Sequence, residues 1–599
     1  MTRSTANRLL LLILVVFVLL AGWYSVTIPL GEAPDEVPHF TYVRYLARHG
    51  RIPTTAEEHE AFQPPLYYAL GAALTFWIED RPDAPFAVRA NADFDVLDPR
   101  APQNLLLHTA AEEWPYRGWA LAWHLVRLLS IGLGAVTVWA VYRLGLVLFP
   151  DPSVGRPIAL AMAALVALTP QFIFMSAVIN NDNAATTVSA LVLWQTAALL
   201  SCPDQGGKGL LRYAFLGVLL GLGLLSKANL IALVPVVGLA ILIVQARRSS
   251  WPSRLRGLLV SGLIVFGLAA LLSGWYFVRN WAQHGDPLAW AFVLQTNAVR
   301  QGPLTWDLMA YLLKELFRSF WLGWIGIAFP DWIYWLIGAA CLVGLSGFAV
   351  WLPRRWRAVG PGLRAMLLLF GLYTAIILGS WLKWTATVEG TDQGRLLYPL
   401  LPVAALILAA GWAWWFRGRA QNWALAGLSA GMLALAVVTP VCFIAPVYAP
   451  APTATEVDLA AATPLGVRWG DVQLLAYRIE DNQVRPGEEL VLHLYWQAQQ
   501  PVDRDLMALI QLVDAGDRFL MYSDGSPTAG RDTTDRWLPG VPLASRHLLP
   551  VPDYGQPGDY RLTISLHPFG QQKWLAVSGP DGALLGDHLV LPETIRIGP

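Results

Sequence analysis

Charge and cysteine are what this chain has least of. Only 14% of its 599 residues are Asp, Glu, Lys or Arg, while 55% are hydrophobic, and the mean hydropathy is +0.46. A soluble domain of this length needs more polar surface, so the composition excludes an ordinary soluble protein and specifies an integral membrane one. Acids and bases balance at 42 each. That balance leaves neither the basic surplus of a nucleic-acid partner nor the charge that holds a peripheral protein on a membrane. Cys202, Cys341 and Cys442 fall in or beside apolar runs without paired spacing, which excludes a disulfide framework or a cysteine metal cluster. No small-x-small cleavage site follows the apolar run after Arg3 and Arg8, so the N-terminal segment reads as a retained anchor.

What is present is a series of long apolar runs. A membrane crossing takes about 20 apolar residues. On that criterion the chain holds eleven, near residues 8–30, 120–142, 157–179, 183–200, 211–226, 229–246, 257–279, 331–352, 365–383, 396–416 and 424–445. The apolar piece 66–78 follows Gln63, Pro64 and Pro65 and is too short. It fits a surface-lying or re-entrant helix. With the N-terminus inside, the inner connections carry Arg3, Arg8, Arg143, Arg156, Lys208, Arg212, Arg247, Arg248, Arg254, Arg256, Arg354, Arg355, Arg357, Arg364, Arg417 and Arg419, with only Asp151 and Asp204 as acids. Short cytoplasmic loops are rich in Lys and Arg, so this asymmetry supports both the odd number of spans and the orientation.

Beyond Tyr448 the pattern changes. Pro446, Pro450 and Pro452 mark a linker, and alternating runs at 473–479, 490–496, 506–513, 560–566 and 588–591 are separated by Pro-Gly and Asp-Gly turns. Short strands between regular turns specify an antiparallel β-sandwich. The expected division is a membrane domain over 1–447, a linker over 448–464 and a β-domain over 465–599, which the span count places outside. Trp496, Trp537 and Trp574 read as core residues, with stacking on sugar rings as the alternative.

Ionisable residues at the ends of apolar spans are costly there and are candidates for function. Asp35, Glu36 and His39 directly follow the first span and share one face of a short helix if one begins near Pro34. A bare structural reading has Asp35 capping that helix and Glu36 favouring its positive end. Asp182, in the turn Asn180 to Asn183, either caps the next helix or faces Asp35, sharing a divalent cation such as Mg or Mn or placing a substrate. Lys227 stands between two spans with almost no loop, as a snorkelling cation or an anion binder. Arg395 follows Gly394 and enters a span from the outer side, a geometry suited to gripping a phosphate or pairing with Asp392.

These motifs, taken in order, resemble a known family. Pro34-Asp35-Glu36 with His39, Gln63-Pro64-Pro65-Leu66-Tyr67-Tyr68, Asn181-Asp182, and Gln393-Gly394-Arg395 with Tyr398-Pro399 are similar to the GT-C superfamily of polyprenyl-phosphate-sugar glycosyltransferases. The bacterial relatives of protein O-mannosyltransferases and aminoarabinose transferases are the nearest in pattern, over residues 8–445. The resemblance implies a multi-pass protein of a bacterial cell membrane that moves a sugar from a polyprenyl-phosphate donor to a protein, lipid or glycan acceptor. It implies Asp35 as the base, supported by Glu36 and His39. Arg395, with Lys227 or Arg279, would hold the departing phosphate, and Asp392, Gln393, Tyr398 and Gln63 would complete the substrate site. Asp182 would be the second acid, which some members use at a metal. Two other classes stay open: a flippase for a lipid-linked sugar, and a scaffold displaying the β-domain.

Overall fold

The computed structural model describes residues 2–81, 84–201, 208–571 and 573–598, so Cys202 and Asp204 lie outside the described residues. The chain divides into two compact units. One comprises Met1–Ile28, Ala33–Glu79 and Leu121–Ile444, the other Pro29–Glu32, Asp80–Ala120 and Ala445–Pro599.

The first unit is helical. Its elements are α1 (Arg3–Thr27), α2 (Glu36–His49), α3 (Leu66–Thr75), α4 (Gly118–Leu148), α5 (Pro152–Ala167), α6 (Pro170–Ser176), α7 (Asp182–Ser201) and α8 (Lys208–Leu224). Then come α9 (Leu233–Ala246), α10 (Trp251–His284), α11 (Trp290–Thr296), α12 (Trp306–Trp321), α13 (Asp331–Arg355), α14 (Pro361–Thr387), α15 (Leu401–Trp415) and α16 (Arg419–Thr439). Among the described residues nine helices are long and apolar enough to cross a membrane, and the bent pair α5 and α6 makes a tenth. This is a multi-pass membrane protein. The pair bends by 62° because Pro170 has no N–H to donate and its ring clashes with the carbonyl four residues back. The eleventh span read from the sequence is α8, whose 17 residues reach about 25 Å. Helix α3 has only 10 residues. Its first amide, on Leu66, donates to Leu225 O at 3.0 Å, at the end of α8.

Spans α13 and α15 touch backbone to backbone. A Cβ at Gly411 would lie 1.7 Å from Gly344 O, so only glycine permits the crossing. Helix α12 buries Leu312, Leu316 and Trp321 and leaves Trp306 and Tyr311 exposed, the two-faced pattern of an interfacial helix.

The second unit is β-rich. Its strands are β1 (Thr463–Trp469), β2 (Val472–Ile479), β3 (Gln483–Val484), β4 (Glu489–Ala498), β5 (Leu506–Val513), β6 (Phe519–Gly525), β7 (Pro542–Pro550), β8 (Gly558–Pro568), β9 (Val577–Ser578), β10 (Leu584–Gly586) and β11 (Leu589–Ile597). They form a six-stranded sheet in the order β10-β9-β1-β2-β4-β7 and a five-stranded sheet in the order β3-β11-β8-β5-β6. One core joins the sheets, with Leu490, Leu492, Leu494 and Trp496 from the first and Ile510, Leu512, Leu562 and Ile564 from the second. Trp496 and Trp537 lie in that core. Trp574 instead stays 38% exposed, its ring 5.0 Å from that of His567.

The compact units do not follow the division expected from the sequence. Residues 80–120 belong with the β-rich unit. Arg89 pairs with Asp505, Asn91 and Asn104 both donate to Gly530 O, at 3.2 and 2.8 Å, and Thr533 donates to His108 O at 2.6 Å. The expected linker is also partly built into the fold. Ala454 N donates to Pro542 O at 2.9 Å, and Ala544 N donates to Pro452 O at 2.8 Å.

Candidate active site

Four charged side chains from four separate stretches meet at one end of the helical unit. Asp35 precedes α2 in the left-handed region, at φ 59°, and makes no side-chain capping bond, so its carboxylate is free to face elsewhere. Arg395 Nη2 donates to Asp35 Oδ2 at 2.5 Å, and Arg395 Nη1 donates to Asp182 Oδ2 at 3.3 Å. Lys227 donates to the other oxygen of Asp182. The result is a chain of alternating charge, Asp35, Arg395, Asp182, Lys227. Its inner members are nearly closed off, whereas the Asp35 side chain is 54% exposed. A non-glycine residue held at positive φ stores strain, and such residues concentrate at functional sites.

Local sequence explains how each member is held. Asp182 opens α7, and its amide donates to Asn180 Oδ1 at 2.8 Å. Arg395 Nε donates to Gln393 Oε1 at 2.6 Å, which aims the guanidinium. Gly394 is required because a Cβ there would lie 2.2 Å from the backbone nitrogen of Phe320 in α12. Its amide donates to Ser319 Oγ at 2.8 Å, and Tyr398 OH donates to Phe320 O at 3.1 Å. The Gln393 to Tyr398 segment is thus clamped to α12. Burial pushes the Asp35 carboxyl up, but the surrounding cations, Arg395 foremost, outweigh burial and hold it at about 2. The rise expected of a partly buried base is therefore reversed while Arg395 is its partner.

Asp35 and Asp182 do not fit the divalent cation expected between them. The Arg395 guanidinium already bridges the two carboxylates, and Lys227 holds the remaining side of Asp182. A metal ion would have to displace a cation that already satisfies both acids. Among the described residues no group of three or more His, Cys, Asp or Glu is arranged to hold a metal.

Residues 123–284 match the family model of dolichyl-phosphate-mannose-protein mannosyltransferase. The mannosyltransferase match covers less than half of the chain and includes Asp182 and Lys227, but neither Asp35 nor Arg395. Among solved structures, ArnT from Cupriavidus metallidurans in the apo state is similar at 15% identity and a TM-score of 0.40, over 72% of this chain and 65% of that one. The same protein bound to undecaprenyl phosphate gives 15% and 0.41, over 73% and 66%. The oligosaccharyltransferase of Archaeoglobus fulgidus, in complex with Zn and sulfate, gives 13% and 0.37, over 73% and 52%. The chain thus spans just under two thirds of apo ArnT and about half of the archaeal enzyme, and these likenesses carry no residue role to it. A comparison with curated proteins gives no match.

The other residues singled out in the sequence lie near this chain of charges without joining it. Glu36 turns away from Asp35 and is fully buried. Arg127 of the mannosyltransferase-like stretch donates to it from Nε and Nη2, both at 2.7 Å, and Trp123 Nε1 and Ile179 N add bonds of 3.0 and 2.9 Å. Arg127 Nη1 also donates to Ser25 O and Ile28 O, at 2.6 and 2.8 Å. This network ties the end of α1 to α4 and to the turn before α7, so Glu36 positions the loop that carries Asp35. His39 Nδ1 lies 2.8 Å from Tyr68 OH, and burial holds its pKa below the ordinary value. Gln63 Oε1 accepts from Asn181 at 3.2 Å. Arg279 donates to Pro53 O and Ala61 O, at 2.5 and 3.4 Å, bracing the first loop rather than the acids. Asp392 takes part through its carbonyl, which accepts from Ser319 at 2.9 Å. Sequence reasoning missed Arg127, although an arginine well inside an apolar span was the signal that could have found it.

Proposed function

We propose that this protein is a membrane glycosyltransferase that moves a sugar from a polyprenyl-phosphate donor to an acceptor hydroxyl. The observation that carries the reading is the Asp35 to Arg395 ion pair, with its carboxylate accessible and its guanidinium backed by a second acid and a lysine. The family model matching residues 123–284 is named for a lipid-phosphate mannose donor and supports the donor class. The basic connections at the opposite ends of the spans support an outer site and a cytoplasmic N-terminus, with the β-rich unit outside.

The donor phosphate competes with Asp35 for Arg395, since a guanidinium binds phosphate oxygens through two parallel bonds. As Arg395 and Lys227 turn to the phosphate, Asp35 loses the partner that holds its pKa at about 2, and its basicity rises. Asp35 then takes the proton from the acceptor hydroxyl. The acceptor oxygen forms a bond to the anomeric carbon as the bond to the phosphate oxygen breaks, and its electron pair leaves with the polyprenyl phosphate. A single displacement inverts the anomeric centre. The cations stabilise the charge that develops on the leaving phosphate.

The test is transfer of label from a radioactive polyprenyl-phosphate sugar to peptide, lipid or glycan acceptors by full-length protein in lipid nanodiscs. Wild type transfers label with inversion, and Asp35→Asn loses about 100-fold or more in rate. An Asp35→Asn variant as fast as wild type removes Asp35 as the base. In liposomes, movement of labelled lipid between leaflets without transfer would point to a flippase instead.

A further inference from the structure

Three buried side chains around the first outer loop each hold one polar atom without a hydrogen-bond partner among the described residues: Glu60 Oε2, Tyr42 OH and Asn181 Oδ1. Glu60 is 7% exposed, and Tyr42 and Asn181 are closed off. An unpaired buried polar atom weakens the fold, a carboxylate oxygen most of all, so such atoms in a native protein need a reason. Packing fixes all three side chains. Glu60 belongs to the turn His59–Phe62, which Tyr276 and Arg279 of α10 clamp through the carbonyls of Phe62 and Ala61. Its Oε1 is taken by His59 Nδ1 at 3.3 Å, which leaves Oε2. The Tyr42 ring stacks on that of Tyr68, with centres 4.1 Å apart. Asn181 donates to Gln63 Oε1 at 3.2 Å, and the Gln63 amide donates to Glu60 O at 2.8 Å.

These atoms adjoin the chain of charges. His39 precedes Tyr42 by three residues on α2, so the two share a face, and His39 lies in the field of Glu60 as well as those of Asp35, Lys227 and Arg395. Tyr42 and Tyr68 also lie in the field of Glu60. Asn181 is the residue before Asp182. A carboxylate and an amide oxygen only accept hydrogen bonds, and a phenol accepts or donates, so the group suits a ligand that brings donors. A sugar placed at Asp35 brings ring hydroxyls, and Glu60 Oε2 can accept one of them in a charge-assisted bond. An acidic sugar would instead set a second negative charge against Glu60, which is discrimination by repulsion.

We propose that Glu60, with Tyr42 and Asn181, binds the hydroxyls of the donor sugar and makes the site selective for a neutral sugar over an acidic one. This rests on the transferase reading and adds the sugar class to it: Arg395 and Lys227 hold the phosphate, and Glu60 discriminates among the sugars attached to it.

The test measures binding of three lipids to full-length protein in nanodiscs without acceptor, by native mass spectrometry: undecaprenyl phosphate alone, its mannose-bearing form and its glucuronate-bearing form. Wild type binds the mannose-bearing lipid about tenfold or more tighter than the sugar-free one, and tighter than the glucuronate-bearing one. Glu60→Gln weakens binding of the mannose-bearing lipid about tenfold, leaves the sugar-free lipid unchanged and narrows the preference over glucuronate. Tyr42→Phe keeps the stacked ring and weakens binding of the mannose-bearing lipid about threefold. Neither variant lowers the melting temperature, because the atom it changes has no partner in the folded chain. Equal binding of the mannose-bearing and sugar-free lipids by wild type overturns the proposal while the phosphate site stands. Variants that bind all three lipids as wild type does also overturn it and assign these atoms to ordered water. A Glu60→Gln variant that weakens all three alike makes Glu60 structural, and one that raises only the KM for the acceptor moves Glu60 to the acceptor side; both overturn it. Wild type that binds none of the three lipids removes the donor reading itself, and the Glu60 proposal with it.

Discussion

Asp35 and Glu36 are neighbours in sequence and opposites in environment, one half exposed against Arg395 and the other fully buried against Arg127. Their substitutions therefore separate. Removing one partner of a buried ion pair leaves an uncompensated charge and costs about 3–5 kcal/mol, so Glu36→Gln lowers the melting temperature of the detergent-solubilised protein. Asn tolerates positive φ better than most residues, and Asp35→Asn keeps its stability within about 1 kcal/mol while losing transfer. A stable Glu36→Gln variant with activity lost to the same degree as Asp35→Asn would make Glu36 catalytic rather than positioning. Arg395→Lys keeps a charge but loses the planar fork that reaches Asp35 and Asp182 together. It weakens donor binding by about tenfold or more, read as a raised KM for the lipid-linked sugar. The candidate acids, Lys227 and Arg395 were legible because charge at the end of an apolar run is costly. Which of two adjacent carboxylates faces Arg395 was not, because successive residues at a helix start point about 100° apart.

At the scale of elements, the Gln393 to Tyr398 segment depends on one missing side chain. Gly394→Ala forces a Cβ into the backbone of Phe320 and costs about 1–3 kcal/mol through displacement of the clamp; transfer should fall with Asp35 untouched. A wild-type melting temperature together with unchanged transfer would show that α12 can give way. In the second unit, His108 ties the 80–120 segment down. Its imidazole lies 2.9 Å from Glu32 and 2.8 Å from Glu112. Burial pushes its pKa down, but the two carboxylates outweigh burial and bring it up to about 9. A folded-state pKa above the unfolded value of 6.5 stabilises the protonated form, so this contribution is complete below pH 6.5 and is lost as pH rises through 9. Protease resistance of the 80–120 segment in the full-length protein is therefore expected to fall between pH 6.5 and 9, by up to about 3 kcal/mol, and His108→Gln removes that dependence. A slope of the same size in the variant would assign the pH effect elsewhere. Strand β7 shows why some elements escaped the sequence reading. Two of its inward residues are Ser545 and His547, whose polar atoms bond Leu494 O and Pro527 O at 3.2 Å, so the alternation of apolar residues is masked.

The connections read as inner carry Arg143, Arg156, Arg247, Arg248, Arg354, Arg355, Arg417 and Arg419, and the tendency of cytoplasmic loops to hold Lys and Arg predicts an orientation. In a variant with all three cysteines replaced, Asp503→Cys in the β-rich unit reacts with a membrane-impermeant maleimide in intact cells, whereas Ser250→Cys reacts only after permeabilisation. Both positions are exposed, and the reverse pattern would move the proposed site to the other face of the membrane.

Sequence alone determined that the chain is rich in apolar spans and where a β-rich region follows them. Hydropathy and alternation are sums over near neighbours, and those sums hold whatever the rest of the chain does. Only the tertiary structure decided that Arg395 bridges Asp35 and Asp182, that Arg127 claims Glu36, and that residues 80–120 pack with the C-terminal strands. Each of these joins residues far apart in the chain, and only the packing of the elements that carry them brings the charges within reach of one another.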